Sequence, residues 1–423
     1  MFTFVIRTVL ALALLMPVAQ TPAAAANIAI SCGALGVELE LCTRAVRDWE
    51  QQTGNTVTII TTPNSSNDRL SLYLQMLASG TNDIDVLQID VVWAGVLASH
   101  LADLKPYVGE APAANFPALI ENDTIGEHLV AIPWWVDVGV LYYRKDLLQQ
   151  HGFEPPRTWQ EMTTTARNIQ KAERASGNTR IWGFVFQGRS YEGLTCNALE
   201  WIEAYRGGTI IDPRGEITIA NSRAVEALTL AGSWVGDISP KGVLNYDEEA
   251  ARGVFQTGNA VFMRNWPYAW SLAQGRDSPV RGKIGVVPLP SGGPDGKSSG
   301  TLGGWHLAVS RYSKHPKEAA DLVIFLTSAA QQKKRAITAS YNPTLPALYK
   351  DPELLAANPF FGDLLASLEN ATARPSRIAG PHYNRLSSDV SRAVHDILNG
   401  TPARSRIEQL ADELDRLKYR AGW

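Results

Sequence analysis

The run from Ile28 to Ile89 reads IAISCGALGVELELCTRAVRDWEQQTGNTVTIITTPNSSNDRLSLYLQMLASGTNDIDVLQI, and its periodicity decides the fold class. Ile28–Ser31 is short and apolar. Glu38–Gln52 carries Leu39, Cys42, Val46 and Trp49 at helical spacing and stops at Gly54. Val57–Ile60 is β-branched and reads as a strand. Asp68–Ser79 is helical again, with Leu70, Tyr73, Leu74 and Leu77 on one face, and Val86–Ile89 returns to strand. Such alternation predicts an α/β protein whose mainly parallel sheet is covered by helices on both faces.

A second alternating block follows. Val138–Tyr143 reads as a strand leading into a helix at Lys145–His151. Thr158-Trp159-Gln160-Glu161 is a capping box and starts another helix. Trp182–Gln187, Ala260–Met263, Ile284–Val287 and His306–Ser310 read as strands. Gly193–Tyr205, Ala224–Trp234, Ala250–Gln256 and Pro316–Thr327 read as helices. Ser291–Gly303 is rich in Gly, Ser and Pro and reads as a loop. The remainder of the C-terminal third is mostly helical. With 423 residues and roughly 150 per domain, two α/β lobes with a ligand cleft between them are expected.

Composition narrows the function. Lys+Arg total 39 against 42 Asp+Glu, so no single-sign field suits nucleic acid or a membrane surface. Twelve Trp and 13 Tyr in a chain only 19% charged favour a neutral polar ligand. Residues 1–26 read as a secretory signal peptide: Arg7, the apolar run Thr8–Val18, then small residues up to Ala26. No later stretch is long and apolar enough to span a membrane. Of the three cysteines, Cys32 and Cys42 enclose a short loop and are the natural pair in an oxidising compartment. The preferred reading is nevertheless three small buried hydrophobes. A lipid anchor on Cys32 fits Ala29-Ile30-Ser31-Cys32 poorly.

Familiar catalytic chemistry is missing. Gly296-Lys297-Ser298 lacks the first glycine of a phosphate-binding loop, because position 291 is Ser291. Gly188-Arg189-Ser190-Tyr191-Glu192-Gly193 places its second glycine one residue too late for a nucleophile elbow. The seven His show no metal-ligand spacing, and no cofactor fingerprint occurs. Asp90, Asp137, Glu38 and Glu40 remain as a conceivable glycosidase pair, which needs carboxyls about 5 to 9.5 Å apart.

What recurs instead is an aromatic beside a polar group at strand ends: Asp90-Val91-Val92-Trp93, Pro133-Trp134-Trp135-Val136-Asp137, Asn265-Trp266-Pro267-Tyr268-Ala269-Trp270 and Gly303-Gly304-Trp305. Open α/β sheets bind ligands beyond the carboxyl ends of their strands. A sugar offers C–H faces to aromatic rings and hydroxyls to carboxylates and guanidinium forks. Taken singly, each signal has a plainer reading. Trp266 and Trp305 could be core, Asp90 a helix cap, Asp137 a structural partner of Arg144, and Arg374 a surface residue.

These segments, with Val136–Leu147, Tyr191-Glu192-Gly193-Leu194, Arg264–Trp270, Thr301–His306, Glu369-Asn370-Ala371 and Arg374-Pro375, run in one order along nearly the whole mature chain. In that combination the sequence resembles the sugar-binding receptors of ABC importers, most of all their trehalose/maltose-binding branch. The resemblance implies a two-lobed type II periplasmic binding protein fold whose chain crosses between lobes. The expected lobes are 27–138 plus 304–332, and 139–303 plus 333–423. It further implies sugar contacts from Glu38, Arg69, Asp90, Trp135, Asp137, Trp266, Tyr268, Gly304, Trp305 and Arg374, with Tyr191 at the rim. The segment around Glu38 matches less closely, so Glu40 is its alternative, and Trp135 stands where the family often has Tyr. The expectation is a monomeric, non-catalytic periplasmic receptor without metal or cofactor. It would bind a disaccharide (trehalose, maltose or sucrose) and deliver it to a membrane permease. A secreted glycosidase and a same-fold receptor for another solute, such as a polyamine or metal complex, are the rivals.

Overall fold

The computed structural model describes residues 25–33 and 36–422. The expected leader therefore lies outside the described residues, apart from Ala25 and Ala26. Ala26 is already buried, and its carbonyl accepts the Thr56 N–H at 2.9 Å.

The first sheet is built from β1 (Asn27–Ser31), β2 (Thr56–Ile59), β3 (Val86–Asp90), β4 (Ile132–Val138) and a late strand, β9 (Leu302–Val309), in the order β2-β1-β3-β9-β4. Helices α1 (Gly36–Thr53) and α2 (Ser66–Ala78) make its crossovers. The second sheet contains β5 (Val140–Arg144), β6 (Trp182–Val185), β7 (Ala260–Asn265) and β8 (Ile284–Pro288), in the order β8-β5-β7-β6. Around it stand α3 (Lys145–His151), α4 (Trp159–Ala175), α5 (Glu192–Ala204), α6 (Ser222–Trp234) and α7 (Glu248–Gln256). After β9 come α8 (Pro316–Thr327), α9 (Ala329–Ala339), α10 (Tyr383–Leu398) and α11 (Ala403–Ala421). Helices α10 and α11 pack together, and α10 covers α5, every residue of which is buried.

Both sheets are mixed. In each, one interior strand runs against its neighbours: β9 pairs antiparallel with β3 and β4, and β5 pairs antiparallel with β7 and β8. The other strands of each sheet share one direction, as the α/β reading requires. The antiparallel strands are the crossing points. The strand expected at Val138–Tyr143 is in fact two strands in two sheets, with Gly139 alone between β4 and β5. A Cβ on Gly139 would press into the buried Arg264–Glu200 pair, 2.7 Å from the Arg264 guanidinium, so the missing side chain leaves that pair its room. The loop expected to reach Gly303 ends earlier, because Leu302 and Gly303 already pair with Val138 and Asp137.

Cys32 and Cys42 form a disulfide joining the end of β1 to α1. This corrects the preference for three free cysteines and excludes the lipid anchor, since both sulfurs are committed and both residues buried. Cys196 alone is free and buried.

Candidate functional site

The two sheets turn their strand ends toward a cavity of about 270 Å³, close to the lower bound of the roughly 300 to 1,000 Å³ usual for small-molecule sites. All eleven residues singled out from the sequence line it: Glu38, Arg69, Asp90, Trp135, Asp137, Tyr191, Trp266, Tyr268, Gly304, Trp305 and Arg374. Among the described residues no group of His, Cys, Asp and Glu is placed to hold a metal ion.

One wall comes from the first sheet. Strands β3 and β4 end at this edge, and antiparallel β9 begins there. Register sets Asp90 opposite Trp305, Trp305 opposite Trp135, and Gly303 opposite Asp137. Trp135 and Asp137 are two residues apart on β4 and so share a face. The Trp135 indole N–H donates to Asp137 Oδ2 at 3.1 Å, while the other carboxylate oxygen is buried without a protein partner. Burial pushes the Asp137 carboxyl up to about 7, opposed by the Trp135 hydrogen bond and by the Arg264 and Arg335 charges. Burial also raises Asp90, against the pull of Arg374. Asp90 does not cap a helix; its Oδ1 accepts the Val92 N–H at 3.1 Å in the turn after β3. Nor does Asp137 pair with Arg144, which binds Asp146 instead. Gly304 sits at φ +131°, and a Cβ there would run into β4 at Val136 Cα, 2.9 Å away.

Helix starts complete this wall. Glu38, in the first turn of α1, accepts the Gln88 amide at 2.7 Å; Gln88 in turn accepts the Gly33 N–H at 2.7 Å. Glu40 is exposed and faces Arg44, so of the two candidates Glu38 is the one in the cavity. The Arg69 guanidinium lies 4.5 Å from the Trp305 ring centre, and its Nη1 has no protein partner.

The opposite wall belongs to the second sheet. Tyr191 precedes α5, and Trp266 and Tyr268 follow β7. The Tyr191 hydroxyl donates to Glu248 Oε2 at 2.6 Å and that of Tyr268 to Glu249 Oε1 at 2.6 Å. The Trp266 indole N–H lies 3.4 Å from Glu248 Oε1. Beneath Trp266, the Arg264 guanidinium stacks at 3.9 Å and is paired with Glu200, both fully buried. Arg335 similarly backs Trp135 at 4.3 Å. Trp135, Trp266 and Trp305 thus each have an arginine against one face.

Arg374 joins the walls. Far from being a surface residue, it is 6% exposed. It donates to Glu192 on α5 at 2.6 Å and to Asp90 on β3 at 3.2 Å, and its Nε is left without a partner. Trp266 and Trp305 are only partly buried, with ring surface open to the cavity.

Sequence reasoning passed over Glu192, Glu248, Glu249, Arg252, Cys196 and Tyr341, which also line the cavity. Glu192 lay inside a quoted run beside Tyr191. Glu248 and Glu249 follow the N-cap Asp247 and read only as an acidic helix start. Burial holds Cys196 as a neutral thiol, far above its ordinary range.

Two α/β lobes, a chain that crosses between them, and a cavity walled by both define a two-lobed solute-binding protein. The chain belongs to the bacterial extracellular solute-binding protein family, whose pattern matches residues 40–333. It is 48% identical over 408 residues, 96% of each chain, to a Deinococcus radiodurans protein named "Probable ABC transporter-binding protein". It is similar to the structure of maltose-bound MalE3 from T. maritima, with 41% identity, a TM-score of 0.88, and coverage of 93% of this chain and 100% of that one. A ribitol-bound solute-binding protein of Agrobacterium radiobacter, 22% identical, shares the fold at a TM-score of 0.80, covering 93% and 99%. The family and the Deinococcus and Agrobacterium relatives bear the names of binding proteins.

Proposed function

We propose that this chain is the periplasmic receptor of an ABC sugar importer and binds a disaccharide of the trehalose, maltose or sucrose kind between its lobes. The observation that carries the reading is a set of unspent buried polar atoms. Asp137 Oδ1, Arg69 Nη1 and Arg374 Nε are buried without partners in a cavity that partly exposed indole rings also line. An unpaired buried polar atom costs about 1 to 3 kcal/mol. Unpaired carboxyl and guanidinium atoms on residues that line one cavity with three indole rings suit a ligand with hydroxyls around an apolar ring. The identity to maltose-bound MalE3 supports the same choice.

On this reading residues 1–26 are removed on secretion, and the lobes are 27–138 plus 304–332 and 139–303 plus 333–423. Glu38, Arg69 and Asp90 bind from the first lobe; Tyr191, Trp266, Tyr268 and Arg374 from the second. Trp135, Asp137, Gly304 and Trp305 lie by the crossing strands. A sugar that touches both lobes favours their closure, and the closed monomer docks on the permease.

The test is intrinsic Trp fluorescence of the mature protein titrated with trehalose, maltose, sucrose and glucose, with product analysis of each mixture. A saturable shift with intact disaccharide is expected. Release of monosaccharide would make the protein a glycosidase, and silence with every sugar would send the search to other solutes.

A further inference from the structure

Glu248 and Glu249 open α7, preceded by Asp247, whose side chain caps the helix through the Ala250 N–H at 2.9 Å. The positive end of the helix dipole favours carboxylates there. Both oxygens of Glu248 and one of Glu249 accept from rings of other elements. Glu248 accepts from Tyr191 at the start of α5 through one oxygen and from Trp266 after β7 through the other. Its backbone carbonyl accepts the Asn265 amide at 3.1 Å, and Asn265 in turn accepts the Trp266 backbone N–H at 2.8 Å. Glu249 divides its carboxylate between the Tyr268 hydroxyl and Arg252.

Three rings expected to meet the ligand thus rest on two adjacent carboxylates. Without Glu248 the Trp266 indole N–H loses its acceptor, while Arg264 stays stacked beneath the ring. The buried Tyr191 hydroxyl would likewise lose its acceptor.

We infer that Glu248 is a positioning residue for the aromatic wall, fixing Tyr191 and Trp266 in the orientation that binds ligand, with Glu249 doing the same for Tyr268. Its effect on affinity rests on the sugar-receptor reading; its effect on the rings does not, and the two are measured separately.

The experiment compares Glu248→Ala, Glu248→Gln, Tyr191→Phe and the Glu248→Ala/Tyr191→Phe double variant. Affinity for maltose and trehalose is read by calorimetry. Near-UV circular dichroism is read without sugar, with Trp266→Phe identifying the Trp266 band. Glu248→Ala removes the acceptor of two ring donors at once and is expected to weaken binding roughly 10- to 100-fold. Glu248→Gln keeps one acceptor and loses less than about tenfold. Tyr191→Phe costs several-fold in the wild-type background and almost nothing beside Glu248→Ala, because both remove one interaction. The Trp266 band weakens in Glu248→Ala before any sugar is added. An unchanged Trp266 band, or effects of Glu248→Ala and Tyr191→Phe that multiply independently, overturns the assignment. If Glu248→Ala does not fold, Glu248→Gln and Tyr191→Phe carry the same comparison. If the wild type binds neither sugar, the choice of maltose or trehalose as ligand falls while the ligand-free spectra still decide the role of Glu248.

Discussion

The cavity has two walls made in different ways. In the first, Asp90, Trp135, Asp137 and Trp305 stand on three neighbouring strands, and the ladder register sets their spacing. In the second, Tyr191, Trp266 and Tyr268 stand on helix starts and a loop, and side-chain hydrogen bonds to Glu248 and Glu249 set theirs. A ladder is maintained by many backbone bonds, so no single side chain can release it. A side-chain network depends on each member, because every lost partner leaves a buried polar group behind. Truncating a ring of the first wall should therefore cost stability as well as affinity, whereas truncating a ring of the second should cost ligand first.

The largest expected effect is at the root of the second wall. Glu200→Ala strands the fully buried Arg264 beneath Trp266, and removing one member of a buried pair costs about 3 to 5 kcal/mol. Urea denaturation measures it; a loss below about 1 kcal/mol would mean that this pair does not underpin the wall.

Next comes the first wall's titrating acid. Folding raises Asp137 from its ordinary value to about 7, so the neutral form is the one the fold favours. Its stabilising contribution is complete below about pH 4 and disappears as pH rises through about 7. Asp137→Asn removes that dependence. Relative to wild type the variant should gain on the order of 4 kcal/mol between pH 4 and 9, read as the difference between their denaturation curves across pH. A constant difference would show that Asp137 does not titrate in this range.

Two indoles set the walls against each other directly. Trp305 packs edge-on against Trp93 at 5.5 Å and under Arg69, so Trp305→Ala should cost about 3 kcal/mol of stability along with affinity. Trp266→Ala should lower sugar affinity at least about 100-fold, a loss of about 2.7 kcal/mol, while the melting temperature moves by only a few degrees. Equal stability losses in the two variants would erase the distinction.

The smallest effect lies where the walls meet. A Cβ on Gly303 would approach the Trp266 ring at 3.0 Å and Asp137 Cβ at 3.4 Å. Gly303→Ala should push the ring aside and weaken binding by about 1 to 2 kcal/mol, and Trp266→Phe should relieve part of that loss. Calorimetry on the single and double variants reads both.

The first wall was legible along the chain because its residues come at strand ends, where apolar alternation gives way to an aromatic and an acid in one short run. The aromatics of the second wall were legible for the same reason. Their carboxylates were not: nothing around Glu248-Glu249 distinguishes them from the ordinary acidic start of a helix. The disulfide was similarly ambiguous, since two cysteines ten residues apart are compatible with a bond or with two buried thiols until β1 and α1 are seen to place them together.

From its sequence alone the chain is an α/β protein with aromatic and acidic residues at its strand ends and no familiar catalytic motif. Local periodicity and residue chemistry suffice for that. Three-dimensional packing decided that Val138 and Val140 belong to different sheets, that Arg374 spans both walls, and that Glu248 serves rings 57 and 18 residues away in sequence. Such pairings link positions far apart in the chain, and their free energy depends on burial and register, neither of which a local pattern contains.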